Sequence, residues 1–172
     1  GYADYKEEIQ AAIDALDFMN DPEALQKKDE LDAMLIDCDA VMTLGQRYQR
    51  LLKSEAARCE DAVRKAELEQ MAANLDVVPA HKPQTYWQAI QLYWFTHLAV
   101  TTELNPWDAF SPGRLDQHLF PYYEKDIEDG ILDDERALEL LECLWMGWGD
   151  QPAPVKVGVT LKESGTYTDF AN

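Results

Sequence analysis

The sequence predicts a mainly helical fragment with at least one β-strand. Over most of residues 2–148, apolar side chains recur at spacings of three and four, the period of an amphipathic helix. Capping residues, glycines and prolines separate these segments. From Val155 to Leu161, apolar residues alternate with polar or small ones, which is typical of a strand.

Three helices are predicted in the first half of the chain. The first covers Tyr2–Phe18. Asn20–Glu23 combines a capping residue, a first-turn proline and an acid, so it indicates the start of a long helix that runs to about Cys59. Gly45 interrupts this helix at a cost of about 1 kcal/mol relative to alanine. A third helix is predicted near Ala62–Leu75.

Two prolines break the chain between residues 77 and 83, because neither fits a helix interior. The next helix, Thr85–Leu98, carries apolar side chains nearly all round, so we expect it to be buried on most sides. Covering it requires more protein than a short isolated bundle supplies, which favours a place inside a larger body. Residues 103–112 are predicted to form a loop.

The last predicted helices are separated by a glycine and a capping aspartate. A helix that follows the loop is expected to kink or restart at Pro121 and to end at Gly130 as its C-terminal cap. Asp133 can cap the final helix, which extends to about Trp148. The strand predicted at 155–161 needs partner strands, since a lone strand is not stable.

Composition and charge exclude several classes of function. The formal charge is −18, from 33 acidic against 15 basic residues, which argues against nucleic-acid binding and against anionic membranes. No apolar run approaches the roughly 18 residues of a membrane span, and the polar start of the chain is unlike a signal peptide. Three widely spaced cysteines do not make a disulfide framework, so we expect a cytoplasmic protein.

Common catalytic and metal motifs are absent from the sequence. There is no glycine-rich phosphate loop, no C-x-x-C and no G-x-S-x-G. A carboxylate-bridged di-metal bundle needs Glu-x-x-His on two helices. None of His81, His97 and His118 has a glutamate three residues before it, so no metal site is expected.

Three stretches in order resemble the glycyl radical enzymes of the pyruvate formate-lyase type, in their lyase and dehydratase branch. They are Val78–Gln91, Asn105–Gly130 and Leu141–Trp145. The resemblance covers essentially the whole chain. It implies that residues 1–172 are the central portion of a pyruvate formate-lyase-like domain, helical over 1–149 with a strand and loop at 155–172. It also implies that this portion is part of a ten-stranded α/β barrel.

The family chemistry implied by this resemblance uses a glycyl radical and a cysteine thiyl radical. The cysteine stands in a Gly-Cys-x-Glu setting and the glycine in Arg-Val-x-Gly-Tyr, and neither motif occurs here. We therefore expect no catalytic residue in this chain, and a fragment that is inactive alone. A radical SAM activase would install the radical outside this chain, and the full-length protein would be a homodimer.

The resemblance also points to residues near the substrate. Counting back from Ser111 and its following Pro-Gly-Arg places Trp107 and Asp108 at pocket positions, and Glu163 and Phe170 approach the substrate after the strand. For Asp108 an alternative is a loop-capping role, in which its carboxylate bonds to nearby backbone. For Trp107 the alternative is general packing, and for Glu163 and Phe170 it is an ordinary solvent-facing turn.

Ser111, Gly113, Arg114 and Asp116 form a structural motif at the loop-to-helix junction. An unpaired guanidinium is costly inside a protein, so we expect Arg114 to pair with Asp116, Glu103 or another carboxylate.

The sequence thus predicts part of an enzyme that cleaves a C–O, C–N or C–S bond of a small polar substrate by radical elimination. An arylacetate-type radical decarboxylase is the first alternative, because Trp107 and Phe110 suit an aromatic substrate. Pyruvate formate-lyase itself comes third. An alternative of another class is a non-enzymatic, acidic helical interaction module.

Overall fold

A computed structural model describes residues 1–101 and 112–149 of the chain. The chain divides into two compact units, Gly1–Pro83 and Gln84–Asn172. In the first unit the helices are α1 (Tyr2–Asp14), α2 (Ala24–Arg58) and α3 (Ala62–Asn74). In the second they are α4 (Tyr86–Ala99), α5 (Leu115–Glu128) and α6 (Asp134–Gly149).

The fold class predicted from the sequence, a mainly helical fragment with at least one strand inside an α/β barrel, is wrong for the described part of the chain. Residues 1–101 and 112–149 contain helices and turns and no strand. The physical reason is that helical periodicity governs all of these segments, and none of them offers a neighbouring strand the ladder it needs. The alternating run at 155–161 lies outside the described residues.

In the first unit, α1 and α3 both pack on the long helix α2. Helix α1 ends at Asp14, one turn before the predicted Phe18, because Asp17 starts a turn instead. Its carboxylate accepts hydrogen bonds from the backbone N–H groups of Met19 and Asn20, at 3.0 and 3.1 Å, and from the Asn20 amide. These bonds, that of the Asn20 side chain foremost, lower the pKa of Asp17.

Helix α2 runs through Gly45 without a break, as predicted, and at this glycine it closely approaches the segment after α3. A Cβ placed on Gly45 would lie 2.6 Å from Cδ of Pro79. The same segment caps α1, since the carbonyls of Pro79 and Ala80 accept from the N–H groups of Tyr2 and Ala3 at 3.0 and 2.8 Å. The absence of a side chain at position 45 therefore lets one segment contact two helices.

We expect Gly45→Ala to destabilise the first unit, although alanine is the better helix former. Helix propensity alone favours alanine by about 1 kcal/mol. Overpacking against the rigid Pro79 ring costs about 1–3 kcal/mol, so the net change is an expected loss of about 1 kcal/mol. Hydrogen–deuterium exchange of peptides from 24–58 measures it. Ser54→Ala, at an exposed α2 position, is the control and should be neutral or stabilising; slower exchange in Gly45→Ala would contradict the packing argument.

In the second unit, α4 packs against both α5 and α6. Its start is set by a local cap: Thr85 Oγ1 accepts from the N–H of Gln88, and the Gln88 side chain accepts in return from the N–H of Gln84, at 2.8 Å. The buried core of the unit comes from all three helices. Its members are Tyr86, Ala89, Ile90, Leu119, Ala137, Leu140, Leu144 and Trp148.

The connection from α5 to α6 follows the sequence prediction at its end but not at Pro121. Helix α5 continues through Pro121 to Glu128. Gly130 has φ +68°, a left-handed conformation that favours glycine after a helix. Asp133 then caps α6, its carboxylate accepting from the N–H of Arg136 at 2.8 Å. Among the described helices none has the length and apolar character that crossing a membrane requires.

Candidate functional site

The residues predicted to contact substrate, Trp107, Asp108, Glu163 and Phe170, lie outside the described residues, as does Ser111. The structure does describe the two helices that flank Trp107 and Asp108 in sequence, α4 before them and α5 after them. These two helices, and the contacts that hold them in place, are therefore the described part of this candidate site.

The end of α4 is buried among aromatic rings. His97 is 1% exposed, and its ring lies between those of Trp94 and Trp148, with centroids at 6.1 and 5.6 Å. Burial lowers the pKa of His97, which favours a neutral imidazole at neutral pH. The hydroxyl of Thr101, itself buried, donates to the His97 carbonyl at 2.8 Å. The C-terminal end of α4 is therefore held in place by buried aromatic contacts and a hydrogen bond.

Helix α6 closes this aromatic cluster by a close backbone approach. A Cβ added to Gly147 would lie 2.8 Å from the Trp94 ring, so a glycine is needed for α6 to pack this tightly on α4. Trp145 meets Trp148 edge to face at 4.9 Å between centroids. These contacts hold the end of α4 against α6.

The start of α5 contains three residues of the predicted structural motif. Gly113 has φ +70°, in the left-handed region where an L side chain is strained. Arg114 is the N-cap residue, and its carbonyl accepts from the N–H groups of Gln117 and His118. Asp116 lies in the first helical turn, where a carboxylate is favoured by the helix dipole. Both side chains are exposed, and the described residues show no ion pair between Arg114 and Asp116.

Two polar ties between α4 and α5 were not predicted from the sequence. The Asp126 carboxylate, 2% exposed, accepts from the backbone N–H of Tyr86 at 2.7 Å, across 40 residues. The Tyr93 hydroxyl is hydrogen-bonded to Nδ1 of His118. The role of Asp126 could have been suspected from the sequence, because it continues the apolar stripe of Leu115 and Leu119, where a charged residue is unexpected. The Tyr93–His118 pair has no local signal.

A largely apolar groove of ≈ 470 Å³ borders the motif, between α5, α6 and the start of α4. Asp116 lines it together with the half-exposed rings of Phe120 and Trp145. The other lining residues are Tyr86, Pro112, Gly113, Leu115, Leu119, Tyr123 and Leu141. This arrangement places Gly113 and Asp116 on an apolar surface, which suits packing better than proton transfer.

The described residues contain no group of three or more His, Cys, Asp or Glu side chains that could hold a metal ion. The three cysteines are free: Cys38 is buried in α2, Cys59 is half-buried at its C-cap, and Cys143 is exposed on α6. Burial raises the pKa of the Cys38 thiol, which disfavours its reactive thiolate form.

The family is decided by a match over the whole length of the chain. A family model described as pyruvate formate lyase-like matches residues 1–172. The chain belongs to this family. The glycyl radical enzyme resemblance, in its lyase and dehydratase branch, is thereby confirmed together with the relatives described next.

The relatives are enzymes much longer than this chain. Trans-4-hydroxy-L-proline dehydratase of Clostridioides difficile is 59% identical over 172 residues, 100% of this chain and 22% of the relative. Its crystal structure with trans-4-hydroxy-L-proline bound matches with a TM-score of 0.91 and 58% identity, over 98% of this chain and 21% of that one.

Two more distant relatives share the same region. Isethionate sulfite-lyase of Bilophila wadsworthia is 36% identical over 150 residues, 87% of this chain and 18% of the relative. A glycyl radical enzyme structure from Archaeoglobus fulgidus matches with a TM-score of 0.78 and 36% identity, over 86% of this chain and 19% of that one. The chain therefore spans about a fifth of the length of the relatives it matches.

Proposed function

We propose that this chain is the central portion of a glycyl radical enzyme that removes a leaving group from a small polar substrate by radical elimination. The favoured reaction is C–O cleavage, the dehydration of a hydroxylated cyclic amino acid of the trans-4-hydroxy-L-proline type. The observation that carries the proposal is the 59% identity to a dehydratase of that substrate across all 172 residues, which include the predicted pocket positions.

The charge of Asp108 supports this substrate class over a sulfonate. Hydroxyproline is a zwitterion with a ring ammonium, a carboxylate and a hydroxyl, and an aspartate can bind its ammonium or its hydroxyl through a strong, charge-assisted hydrogen bond. A sulfonate is anionic, so an aspartate in the pocket would repel it. Trp107 and Phe170 would supply apolar walls, and Glu163 a second polar contact.

Neither the thiyl-radical motif nor the glycyl-radical motif occurs in this sequence, so we assign substrate binding, and not radical chemistry, to this chain. The radical that abstracts the substrate hydrogen lies outside this chain and is installed by a radical SAM activating enzyme. Residues of this chain bind and orient the substrate and exclude water from it. The full-length protein is proposed to be a homodimer in the cytoplasm.

A second candidate reaction is C–S cleavage, favoured by the similarity to isethionate sulfite-lyase. It requires a pocket that accepts a sulfonate, and Asp108 counts against it. The two reactions leave different products, so a single assay with both substrates separates them.

The test is to express the complete coding sequence that contains this chain with a radical SAM activase under anaerobic conditions. Electron paramagnetic resonance should show a glycyl radical, and the activated protein should consume trans-4-hydroxy-L-proline in preference to isethionate. Preferred release of sulfite from isethionate would favour the second reaction. A radical-bearing protein that consumes neither would refute both substrate proposals, and the absence of any radical would refute the enzyme proposal.

A further inference from the structure

The groove between α5 and α6 has two half-exposed aromatic rings on its walls. Phe120 of α5 is 52% exposed and Trp145 of α6 is 51% exposed, and both line the groove. Leu138, two turns before Trp145 on the same face of α6, is exposed as well. Singly exposed apolar side chains are ordinary on a protein surface, but a contiguous apolar patch marks a surface that another body covers.

The two rings are held from behind by further aromatic contacts. The Phe120 ring lies 6.3 Å from that of Tyr123, which meets Tyr86 of α4 edge to face at 6.0 Å. On the other wall, Trp145 packs edge to face on the buried Trp148. Both walls therefore have fixed positions before anything binds between them. Rigid aromatic anchors of this kind supply much of the binding energy of protein interfaces, because little side-chain freedom is lost on contact.

Carboxylates border this apolar patch. Asp116 lines the groove itself. Glu124 lies one helical turn after Phe120, and Glu142 lies one turn before Trp145, and all three carboxylates are on exposed side chains. A surface of the same sign is repelled here, which disfavours an anionic ligand and a second copy that brings its own groove to the contact. The groove therefore fits an apolar segment that carries a lysine or an arginine.

The source of such a segment is indicated by the length of the relatives. This chain belongs to their family but spans only about a fifth of their length, so most of a full-length protein of this family lies outside these 172 residues. A segment of the same polypeptide loses no translational freedom when it packs in the groove, whereas a separate molecule does. The covalently linked segment is therefore favoured over a separate partner.

We propose that the groove between α5 and α6 is the docking surface for a segment of the same polypeptide outside residues 1–172, apolar at its centre and with a lysine or arginine facing Asp116. In this role, α5 and α6 join this portion of the protein to the rest of the enzyme. The inference goes beyond the proposed function and rests on the family, not on the choice of substrate.

The test places the photo-cross-linking amino acid p-benzoylphenylalanine in place of Phe120 in the full-length protein, purified without its activase. An aromatic side chain replaces another, so the wall of the groove is largely kept. After irradiation, denaturing electrophoresis separates links within one polypeptide, which keep the monomer mass, from links between two. Mass spectrometry then identifies the linked peptides. We expect a product of monomer mass that joins position 120 to an apolar peptide from outside residues 1–172, with a lysine or arginine close to the link.

Two controls keep the experiment decisive. Ile131, 63% exposed and not among the residues that line the groove, is the matched position for the cross-linker, which should not capture the same peptide there. Hydroxyl-radical footprinting of the unsubstituted full-length protein needs no replacement at all. Phe120 and Trp145 should be oxidised at least about tenfold more slowly than in urea, because a covered ring excludes the reagent, whereas an open groove gives only about twofold protection.

Several results would overturn the proposal. A product heavier than the monomer would assign the groove to a second copy or to a separate protein. A link to a peptide within residues 1–172, capture of the same peptide from position 131, or twofold protection of the rings would also contradict it. A linked peptide without a lysine or arginine would refute the pairing with Asp116. None of these results depends on whether the activated protein consumes trans-4-hydroxy-L-proline, so a failure of the proposed function is recognised separately.

Discussion

Replacement of Asp108 by asparagine is expected to lower kcat/KM for trans-4-hydroxy-L-proline by about 100-fold in the activated full-length protein. The change keeps the size of the side chain but removes its negative charge. A hydrogen bond to a charged group contributes about 1.5–3 kcal/mol, more than a neutral one, and the loss grows in a site that excludes water. Most of the proposed binding energy for the ring ammonium or the hydroxyl would disappear.

The measurement needs a readout that separates binding from assembly. Radical content by electron paramagnetic resonance should stay at the wild-type level, because Asp108 is not assigned a part in activation. Asp129→Asn, an exposed carboxylate at the C-cap of α5, is the charge-matched control and should leave kcat/KM within about twofold. A kcat/KM for Asp108→Asn equal to that of the control would support the alternative in which Asp108 only caps the backbone.

Truncation of Asp126 to alanine is expected to destabilise the second unit by about 2–3 kcal/mol, since a buried hydrogen bond to a charged group is lost. Its carboxylate is 2% exposed and holds the first N–H of α4, one of the donors that a helix leaves without an internal partner. It also places a negative charge at the positive end of that helix.

Tryptophan fluorescence makes this prediction specific to one unit, because all five tryptophans lie between residues 84 and 172. Urea titrations should give the order of stability wild type, then Asp126→Asn, then Asp126→Ala, as asparagine retains an acceptor but not the charge. Asp129→Ala, which removes an exposed ion pair with Lys125, should cost less than about 1 kcal/mol. If Asp126→Ala and Asp129→Ala unfold at the same urea concentration, the capping role is refuted.

The agreement between sequence and structure is best where the determining contact is local. Asp133 caps α6 as predicted, and Gly130 has the left-handed conformation expected after α5. The start signal Asn20–Glu23 places the beginning of α2 correctly, but Asn20 does not cap it: the N-cap residue is Glu23, which makes no side-chain capping bond. Each of these features depends on residues within three or four positions, so the pattern alone contains the information. The family could also be read from sequence, because three stretches in order, Val78–Gln91, Asn105–Gly130 and Leu141–Trp145, resemble it together.

Predictions fail where a distant segment intervenes. The long helix through Gly45 was predicted, but the reason for a glycine there was not: Pro79, from a distant segment, occupies the space that a Cβ at position 45 would need. The fold class was wrong for the described residues because an alternating run at 155–161 was given weight for the whole chain. For the pocket residues the sequence provides positions by resemblance, and their geometry stays a prediction.

By itself, then, the sequence determined the helical segments, most of their ends, and the family to which this chain belongs. Only the tertiary structure decided which helices are neighbours and what holds them together. The bond from Tyr86 to Asp126 spans 40 residues, and that from Tyr93 to His118 spans 25. Such pairs form because two helices run antiparallel in space, and no local periodicity encodes which polar side chains then face each other.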